Sequence, residues 1–450
     1  MSAQAHIFRP DVECRAPEDQ LRRDRAQYRK QLDYLFTRSA FHRRKLNDAG
    51  FTDAAACGEL GDIAALPFTE KDEIRKSQGQ HPPLGNHLAA PRESLARIFS
   101  TSGTTGDPCY MPLTRNDLAM WTEISSRSYF ATGIHPGMSV ATTYGAGPFV
   151  AGAALETLSA LGACHIPLGT GNTERLIRVL QLLAPQALMC TPSYAVYLAE
   201  TLAGRGIAAD KLGLERISVA GEPGGGEKQL RTRLELAFGV KLCEAMGIGD
   251  ISISLWGECD EQQGMHFSGG DFVHVELIDP DSGRPVRIAD GAEGELVYTA
   301  LQREAAPMLR FRSRDHVICH TSACACGRTT MRVRCIGRTD DMFIVRGVNV
   351  FPSAVRSVVA EFVPRVSGAL ALRPLQRGVR QEPPLPLVVE LAQGAAQDVD
   401  LAHEIEQAVR ARLLVTTRVE LVPFGSLPRS EYKIKLVDYS HAHANLVERI

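Results

Sequence analysis

The sequence lacks the features that mark nucleic-acid-binding and membrane-spanning proteins. Its 50 Lys and Arg residues are balanced by 52 Asp and Glu, so a net charge of −2 offers no basic surface to a phosphate backbone. Aromatic residues make up only 6% of the chain, too few to predict a base-stacking surface. No uninterrupted apolar run reaches the ~18 residues that a membrane-spanning helix needs. We therefore expect neither a nucleic-acid partner nor a membrane-inserted segment.

Signs of export and of disorder are also lacking. The first ten residues contain no apolar core of a signal peptide. The 11 cysteines are an odd number, which favours reduced thiols or metal ligands over a disulfide framework. Hydrophobic residues at 44% and charged residues at 23% exclude a disordered chain. These features predict a cytoplasmic globular protein whose 450 residues form several domains.

Apolar periodicity predicts an α/β fold. Helical spacing from residue 17 to 50 predicts a helical entry segment, and between residues 94 and 300 buried strands alternate with amphipathic helices. Such alternation favours parallel sheets in layers, while strands from residue 273 onward indicate a β-rich region. We predict a large N-terminal domain, residues 1–339, of layered α/β subdomains plus a β-rich subdomain. A small, mobile α+β domain is expected at residues 340–450.

One segment rich in small hydroxyl residues and glycine has the composition of an anion-binding loop. In residues 100–108, backbone N–H groups and Ser or Thr hydroxyls can surround a triphosphate. The Lys-Ser/Thr ending of a Walker A loop is absent. Alone, this segment is equally compatible with a flexible polar loop.

Further motifs follow this loop in a fixed order. They occupy residues 220–223, 244–250, 308–315, 336–352 and 427–435, and two more lie at 66–71 and 191–194. The ordered series resembles the AMP-forming acyl-CoA synthetases of the adenylate-forming superfamily, and within it the phenylacetate-CoA ligase branch. The resemblance extends from about residue 30 to 440, and it implies the roles that follow.

The resemblance implies that a carboxylate attacks the α-phosphate of ATP, which gives an acyl-adenylate and pyrophosphate, and that CoA then displaces AMP. A preorganised set of donors and cations must stabilise the transferring phosphoryl group. Lys433 would bridge carboxylate and phosphate, with Lys435 as a weaker candidate, and Asp250 would hold Mg²⁺. Asp340 would be the hinge of the small domain, and Arg346 and Gly347 would face CoA.

The nucleotide and the acyl group would each have their own set of residues. Without the resemblance, Asp315 would be a solvated carboxylate, residues 221–226 would be a Gly-rich turn, and Tyr144 and Phe149 would be ordinary core residues. The predicted ATP- or AMP-binding residues are Ser100, Thr101, Ser102, Gly103, Thr104, Thr105, Gly106, Gly221, Glu222, Pro223, Met246, Gly247, Asp315 and Arg338. The predicted acyl-binding residues are Tyr144, Gly145, Phe149, Ala220, Met246 and Gly247. The absence of a charge among the acyl-binding residues favours an aromatic acid such as phenylacetate, benzoate or an aminobenzoate.

Three positions depart from the family pattern. Asp107 replaces the usual Lys of the phosphate loop, Gly249 replaces a Thr, and Tyr432 replaces the Gly before the catalytic Lys. Three interpretations therefore remain: an aryl-CoA ligase, an adenylating enzyme that serves a carrier-protein thiol or an amine, and a catalytically impaired nucleotide-binding homologue. Because Asp315, Asp340 and Lys433 are retained, an active ligase is the preferred hypothesis, working as a monomer or homodimer.

Four residues form a candidate structural zinc site. Cys324 and Cys326 have C-x-C spacing, and Cys259 and His266 lie upstream. Three thiolates and one imidazole are a common tetrahedral zinc set. Competing candidate ligands are Cys319, His320 and Cys335, and unpaired thiols are the simpler alternative. Some members of the phenylacetate-CoA ligase branch look alike at these positions.

Overall fold

A helical segment opens the part of the chain that can be described, as the sequence predicts. The computed structural model describes residues 7–101, 109–144, 150–169, 171–346, 348–376, 378–395, 399–429 and 435–440. Helix α1, Pro10–Glu13, precedes α2, Pro17–Arg38, and α3, Ala40–Asp48. Proline at the first position of α2 suits the helix start, where its missing N–H group costs nothing.

The other helices lie between strands or cover the sheets. Within the described residues they are α4 Lys71–Gln80, α5 Arg115–Ala131, α6 Ala154–Leu161, α7 Thr173–Leu183, α8 Pro192–Gly204, α9 Lys228–Phe238, α10 Pro352–Ala360 and α11 Val399–Leu413. Several start on hydroxyl N-caps. The Thr191 side chain, for example, accepts the Tyr194 amide at the start of α8.

Most strands join one large sheet. A separate antiparallel pair, β1 Leu95–Thr101 and β2 Cys109–Thr114, precedes it. The strands of the large sheet are β3 Ser139–Thr142, β4 Cys164–Pro167, β5 Ala187–Cys190, β6 Arg216–Val219, β7 Lys241–Ile248, β8 Ser252–Glu258, β9 Met265–Phe267, β10 Val273–Ile278, β11 Glu293–Ala300, β12 Phe311–His320 and β13 Arg332–Arg338. Their order across the sheet is β10-β11-β12-β13-β9-β8-β7-β6-β5-β3-β4.

Strand β7 joins a parallel half of this sheet to an antiparallel half. Its first residues pair in parallel with β6, and its later residues pair with β8 in antiparallel register. The parallel half contains β3 to β7, and the antiparallel half contains β7 to β13. This division confirms the predicted layered α/β region and the β-rich region that follows it.

The long helix α5 lies close against β8, and a glycine permits the approach. The Ser128 hydroxyl donates to the Trp256 carbonyl at 2.9 Å. A Cβ atom on Gly257 would lie 2.3 Å from the Ser128 carbonyl oxygen, well inside van der Waals contact. Trp121 of the helix and Trp256 of the strand are both fully buried in the same hydrophobic core.

The residues after 342 form small sheets around their own core. One sheet contains β14 Phe343–Val345, β15 Val348–Val350 and β17 Arg380–Gln381; the other contains β16 Val366–Leu372, β18 Leu385–Leu391 and β19 Thr417–Val422. Val355, Leu387 and Ile405 are completely buried in this core. The small α+β C-terminal unit is thus confirmed, while its boundary between residues 339 and 340 stays a prediction.

Within the described residues, no helix has both the length and the apolar character needed to cross a membrane.

Candidate active site

The carboxyl ends of the parallel strands carry the predicted motifs. Strands β3, β5 and β6 end at Thr142, Cys190 and Val219 and lie side by side. Tyr144, Thr191 and Gly221 follow within two residues of these ends. In open α/β sheets this edge is where ligands bind. The strand order therefore gathers segments that are far apart in the sequence into one candidate site.

The predicted adenine loop, residues 221–226, is fixed to the start of α8. The Glu222 carboxylate accepts a hydrogen bond from the Ser193 amide at 2.7 Å and a second from the Ser193 hydroxyl. Gly221 has a φ of 97°, which favours glycine. A Cβ atom on Gly225 would lie 2.6 Å from the Val219 side chain, so this part of the loop packs directly on β6.

A buried carboxyl group lies beneath the loop. Glu244, near the middle of β7, would be 2.9 Å from a Cβ atom placed on Gly226. Burial raises the pKa of Glu244 to about 7, and the neighbouring Glu258 carboxylate adds to the rise. The guanidinium of Arg231 pairs with Glu258 at 2.5 Å and also donates to the Gly225 carbonyl at 3.0 Å. The loop thus rests on a network of buried polar groups.

Strand register places Asp315 opposite Arg338. The two residues pair across β12 and β13, and the Arg338 guanidinium lies 3.3 Å from the Asp315 carboxylate. Burial raises the pKa of Asp315 to about 6, while the charge of Arg338 opposes this rise. Arg338 also binds both carboxylate oxygens of Asp340, at 2.9 and 2.8 Å. The predicted ribose acceptor, its cation and the predicted hinge residue therefore form one ionic chain.

Asp250 is more deeply enclosed than the sequence indicates. Its side chain is fully buried, and Oδ2 accepts a hydrogen bond from the Lys71 ammonium at 2.9 Å. Oδ1 accepts no hydrogen bond from the described part of the chain. Thr69, two residues before Lys71, pairs with Phe311 and donates to the Leu309 carbonyl at 2.6 Å. This contact brings residues 66–71 onto the 308–315 motif.

The predicted acyl-binding residues that can be described surround an apolar region. The Tyr144 ring is buried, and its hydroxyl donates to the Cys190 carbonyl at 2.8 Å. Ala220 and Ile253 pack against the same core cluster, and Met246 packs against the neighbouring one. A Cβ atom on Gly247 would lie 2.1 Å from the Ile253 carbonyl oxygen, so only glycine fits there.

Several predicted residues lie outside the described residues. They are Ser102, Gly103, Thr104, Thr105, Gly106, Gly145, Phe149, Gly347 and Lys433. Ser100 and Thr101 end β1 and are buried, and Thr101 lies opposite Cys109. Arg346 is exposed and has a φ of 49° after β14. Lys435 is described and exposed.

Four side chains converge near the start of β13, at the other end of this strand from Arg338. The potential ligand atoms of Cys259, His266, Cys324 and Cys326 all lie within 4.8 Å of one another. The Cys259 and Cys324 sulfurs are 3.7 Å apart, close to the spacing of about 3.8 Å that a tetrahedron with Zn–S bonds of ~2.3 Å requires. The predicted competitors Cys319, His320 and Cys335 do not belong to this group.

The imidazole of His266 is oriented for such a site. Nε2 lies 3.3 Å from the Cys326 sulfur, and Nδ1 lies 3.3 Å from the Thr330 carbonyl oxygen. An Nδ1–H group that donates to a carbonyl leaves Nε2 as the ligand atom. Hydrogen bonds from Cys259 and then from His266 lower the pKa of Cys326, so this sulfur favours the thiolate form, while the contact with Cys326 raises the pKa of Cys259.

The comparisons with known proteins agree with this geometry. A family model described as "AMP-binding enzyme C-terminal domain" matches residues 347–439. The fold and its carboxyl-edge site thus define an AMP-forming ligase. A phenylacetate-coenzyme A ligase of Thermus thermophilus is 36% identical over 94% of this chain and 97% of its own. One from Escherichia coli is 32% identical over 89% and 90%. The chain belongs to the phenylacetate-CoA ligase family.

A solved relative shows which domain arrangement this structure resembles. The chain is 28% identical to 2-hydroxyisobutyryl-CoA ligase, and the comparison covers 98% of this chain and 93% of that one. The TM-score is 0.88 for that enzyme in the postadenylation state with its acyl-AMP, and 0.71 in the thioesterification state with CoA. The small domain therefore lies in an arrangement similar to the postadenylation state.

Several contacts of the site were not predicted from the sequence. Lys71 was recognised as part of a motif, but nothing in the sequence assigned it to Asp250. Ser193 and Glu244 lie in two other motifs, and the sequence predicts no partner for either residue. Because these contacts depend on which strands are neighbours, only the sheet order could have identified them.

We expect the Lys71–Asp250 pair to contribute to stability. Lys71→Met leaves the buried Asp250 carboxylate without its hydrogen-bonded cation, which should lower the free energy of unfolding by about 3 kcal/mol. The double variant Lys71→Met/Asp250→Asn removes the charge as well and should recover most of this loss. Thermal unfolding of the wild type, of the single variants Lys71→Met and Asp250→Asn, and of the double variant measures the coupling. A double variant as unstable as Lys71→Met would contradict it.

Proposed function

We propose that this protein activates an aromatic carboxylic acid with ATP and transfers the acyl group to CoA. The observation that carries the proposal is the pairing of the buried Asp315 carboxylate with Arg338, 3.3 Å apart, in a chain that belongs to the phenylacetate-CoA ligase family and in which Tyr144 and Ala220 share an apolar cluster. The products are the aryl-CoA thioester, AMP and pyrophosphate.

In the first half-reaction a carboxylate oxygen attacks the α-phosphorus of ATP, and pyrophosphate leaves. Positioning and electrostatic stabilisation supply most of the catalysis in such transfers. The loop at residues 100–106 contributes hydroxyl and amide donors toward the phosphates. Lys433 contributes the cation between the carboxylate and the α-phosphate, where two negative charges would otherwise repel each other.

The nucleoside contacts the adenine loop and the ionic chain at Asp315. Gly221, Glu222 and Pro223 lie along the adenine, and the attachment of Glu222 to Ser193 keeps the loop in place. With a pKa of about 6, Asp315 is mostly ionised at neutral pH and accepts hydrogen bonds from both ribose hydroxyls. Arg338, 3.3 Å from Asp315, places a positive charge between the ribose and the phosphates.

Asp250 is proposed to be a Mg²⁺ ligand. Its Oδ1 oxygen accepts no hydrogen bond from the described residues, so one carboxylate oxygen remains for a hard cation. Lys71 on the other oxygen holds the carboxylate in position and supplies a positive charge near the phosphates. When bound, Mg²⁺ neutralises negative charge on the phosphates of ATP.

The acid is proposed to bind as a flat apolar ring. The Tyr144 hydroxyl is already used by the Cys190 carbonyl, so Tyr144 offers the acid its ring. Ala220, Met246 and Gly247 are uncharged, and together with Gly145 and Phe149 they form the proposed pocket. Phenylacetate, benzoate and aminobenzoates all match this chemistry.

In the second half-reaction the CoA thiol attacks the acyl carbon, and AMP leaves. Rotation of the small domain at Asp340 would carry Lys433 away and bring Arg346 and Gly347 toward the pantetheine arm. Asp340 is bound by Arg338, so the hinge would be connected to the ribose site. None of the eleven cysteines forms a disulfide, which supports a reducing, cytoplasmic location.

We also propose that Cys259, His266, Cys324 and Cys326 bind one structural Zn²⁺ ion. The ligand set, the 3.7 Å separation of two sulfurs and the orientation of His266 support this assignment. The site would fasten the end of β8 and the strand β9 to the loop before β13. With four protein ligands, no coordination position remains for substrate, so the role is structural.

The overall reaction is tested with a panel of aryl acids. Pyrophosphate release should require ATP and an aryl acid, and thioester formation should require CoA in addition. If pyrophosphate is released but CoA gives no thioester, the acceptor is not CoA. Product formation with a carrier protein or an amine in place of CoA would then identify the alternative acceptor class. The absence of pyrophosphate release with every acid, from folded protein that binds ATP, would support the catalytically impaired homologue.

Lys433 is expected to act in the first half-reaction alone. Lys433→Ala should reduce acyl-adenylate formation by at least about a hundredfold and leave thioester formation from a preformed adenylate unchanged. The matched control is Lys435→Ala, which removes an exposed lysine two residues away. Equal losses in both half-reactions would refute the assignment, and a specific loss in the control would transfer it to Lys435.

The metal assignment predicts zinc in the purified protein. Elemental analysis of protein prepared without chelators should find about one zinc per chain. Cys326→Ser should lose the metal and lower Tm more than it changes the affinity for ATP, because the site is structural. The control Cys164→Ser removes an exposed thiol outside the cluster and should keep the zinc. Metal-free wild-type protein of unchanged Tm would exclude the site.

A further inference from the structure

A side chain of the small domain reaches the adenine loop. Arg356, on helix α10, donates through Nη2 to the Pro223 carbonyl at 2.5 Å. The same guanidinium binds the Glu227 carboxylate, with Nη2 at 2.8 Å and Nε at 3.1 Å. The side chains of Arg356 and Glu227 are only 13% and 14% exposed. Water is thus largely excluded from this contact, and the charge-assisted hydrogen bonds are correspondingly strong.

The backbone of the loop is shaped to admit this guanidinium. Gly224 has a φ of 137°, and a Cβ atom there would lie 2.8 Å from Arg356 Nη2. A side chain at position 224 would therefore displace the Arg356 guanidinium from its present position at the Pro223 carbonyl. The glycine serves the contact between the domains as well as the conformation of the loop.

Glu227 is the N-cap residue of helix α9, but its carboxylate binds Arg356 instead of capping the helix. It precedes helix α9, and its carboxylate accepts no capping hydrogen bond there. From the same helix, Arg231 donates to the Gly225 carbonyl at 3.0 Å and Arg233 to the Ser367 carbonyl of the small domain at 3.0 Å. The start of α9 thus connects the adenine loop to the docked small domain at several points.

Resting on the proposed function, we propose that Arg356 is a positioning residue that couples the adenine loop to the small domain. Its bonds hold Pro223 in place only while helix α10 is docked against the loop. Rotation of the small domain for thioester formation must break them. Because such coupling is reciprocal, a docked small domain favours ATP binding, and bound ATP favours the docked arrangement.

The coupling predicts a difference between the two half-reactions. Arg356→Ala should raise the KM for ATP in pyrophosphate release by about tenfold, because the loop loses its support from the small domain. Thioester formation from a preformed acyl-adenylate should be unchanged or faster, because no contact with the loop has to break. The Kd of a fluorescent ATP analogue should rise by a similar factor in the absence of acid.

A matched arginine variant controls for the loss of an ion pair within the small domain. Arg365 pairs with Glu404 at 2.7 Å, far from the adenine loop in sequence and on the same domain as its partner. Arg365→Ala should leave both half-reactions and the ATP-analogue affinity unchanged. Glu227→Gln keeps the shape of the partner without its charge, and it should raise the KM for ATP in the same direction as Arg356→Ala.

The outcomes separate this inference from the proposed function. Parallel losses in both half-reactions, or an unchanged Kd for the ATP analogue, would overturn the coupling and leave Arg356 with a structural role. A wild-type enzyme that releases no pyrophosphate with any aryl acid would refute the proposed function instead. In that case, the change in analogue affinity still decides whether Arg356 supports the nucleotide loop.

Discussion

The hydrogen bonding of a single strand, β7, determines how the rest of the large domain is arranged. Its first residues form a parallel ladder with β6 and its later residues an antiparallel ladder with β8. In the parallel half, the carboxyl ends of the strands and the loops after them lie at one edge of the sheet. The antiparallel half supplies Asp315 and Arg338 from two paired strands. The proposed site uses a loop that follows a parallel strand and a buried carboxylate from an antiparallel pair of strands. Strand β7 joins the parallel and the antiparallel pairing, so both kinds of residue belong to one sheet.

Buried charges around this edge are individually paired with cations. Asp250 has Lys71, Asp315 has Arg338, and Glu258 has Arg231, each within 3.3 Å. A carboxylate in such surroundings is costly without a partner, so the pairs allow several acidic groups to face a site proposed for a polyanion. Lys71, Arg338 and Arg231 thus place positive charge beside these carboxylates from three different elements of the chain.

Much of the architecture followed from the sequence, because hydrophobic period and turn residues are local properties. The helical segment from residue 17, the buried strands near Leu188 and Ile217, and the ribbon strand at residues 293–300 are all found. The ordered motifs singled out Asp315 and Arg338, which the structure pairs, and the C-x-C spacing with Cys259 and His266 upstream predicted the cysteine cluster. The partners of Asp250 and Pro223 were not predictable, since they lie 179 and 133 residues away and meet only through the sheet order and domain docking. Burial likewise set the pKa of Glu244, which no local pattern reveals.

Helix α1, the first helix of the described residues, has a buried partner near the end of the large domain. The Glu13 carboxylate is buried against the Arg328 guanidinium at 2.6 Å, and the Glu13 carbonyl accepts the Thr329 amide at 2.9 Å. These partners are separated by 315 residues. During synthesis on the ribosome, the Glu13 carboxylate therefore emerges early, yet its buried partner Arg328 becomes available only when the loop after Cys326 has been translated. The large domain is thus complete only when the loop after Cys326 packs against helix α1. A chain truncated before this loop would leave the Glu13 carboxylate without its cation.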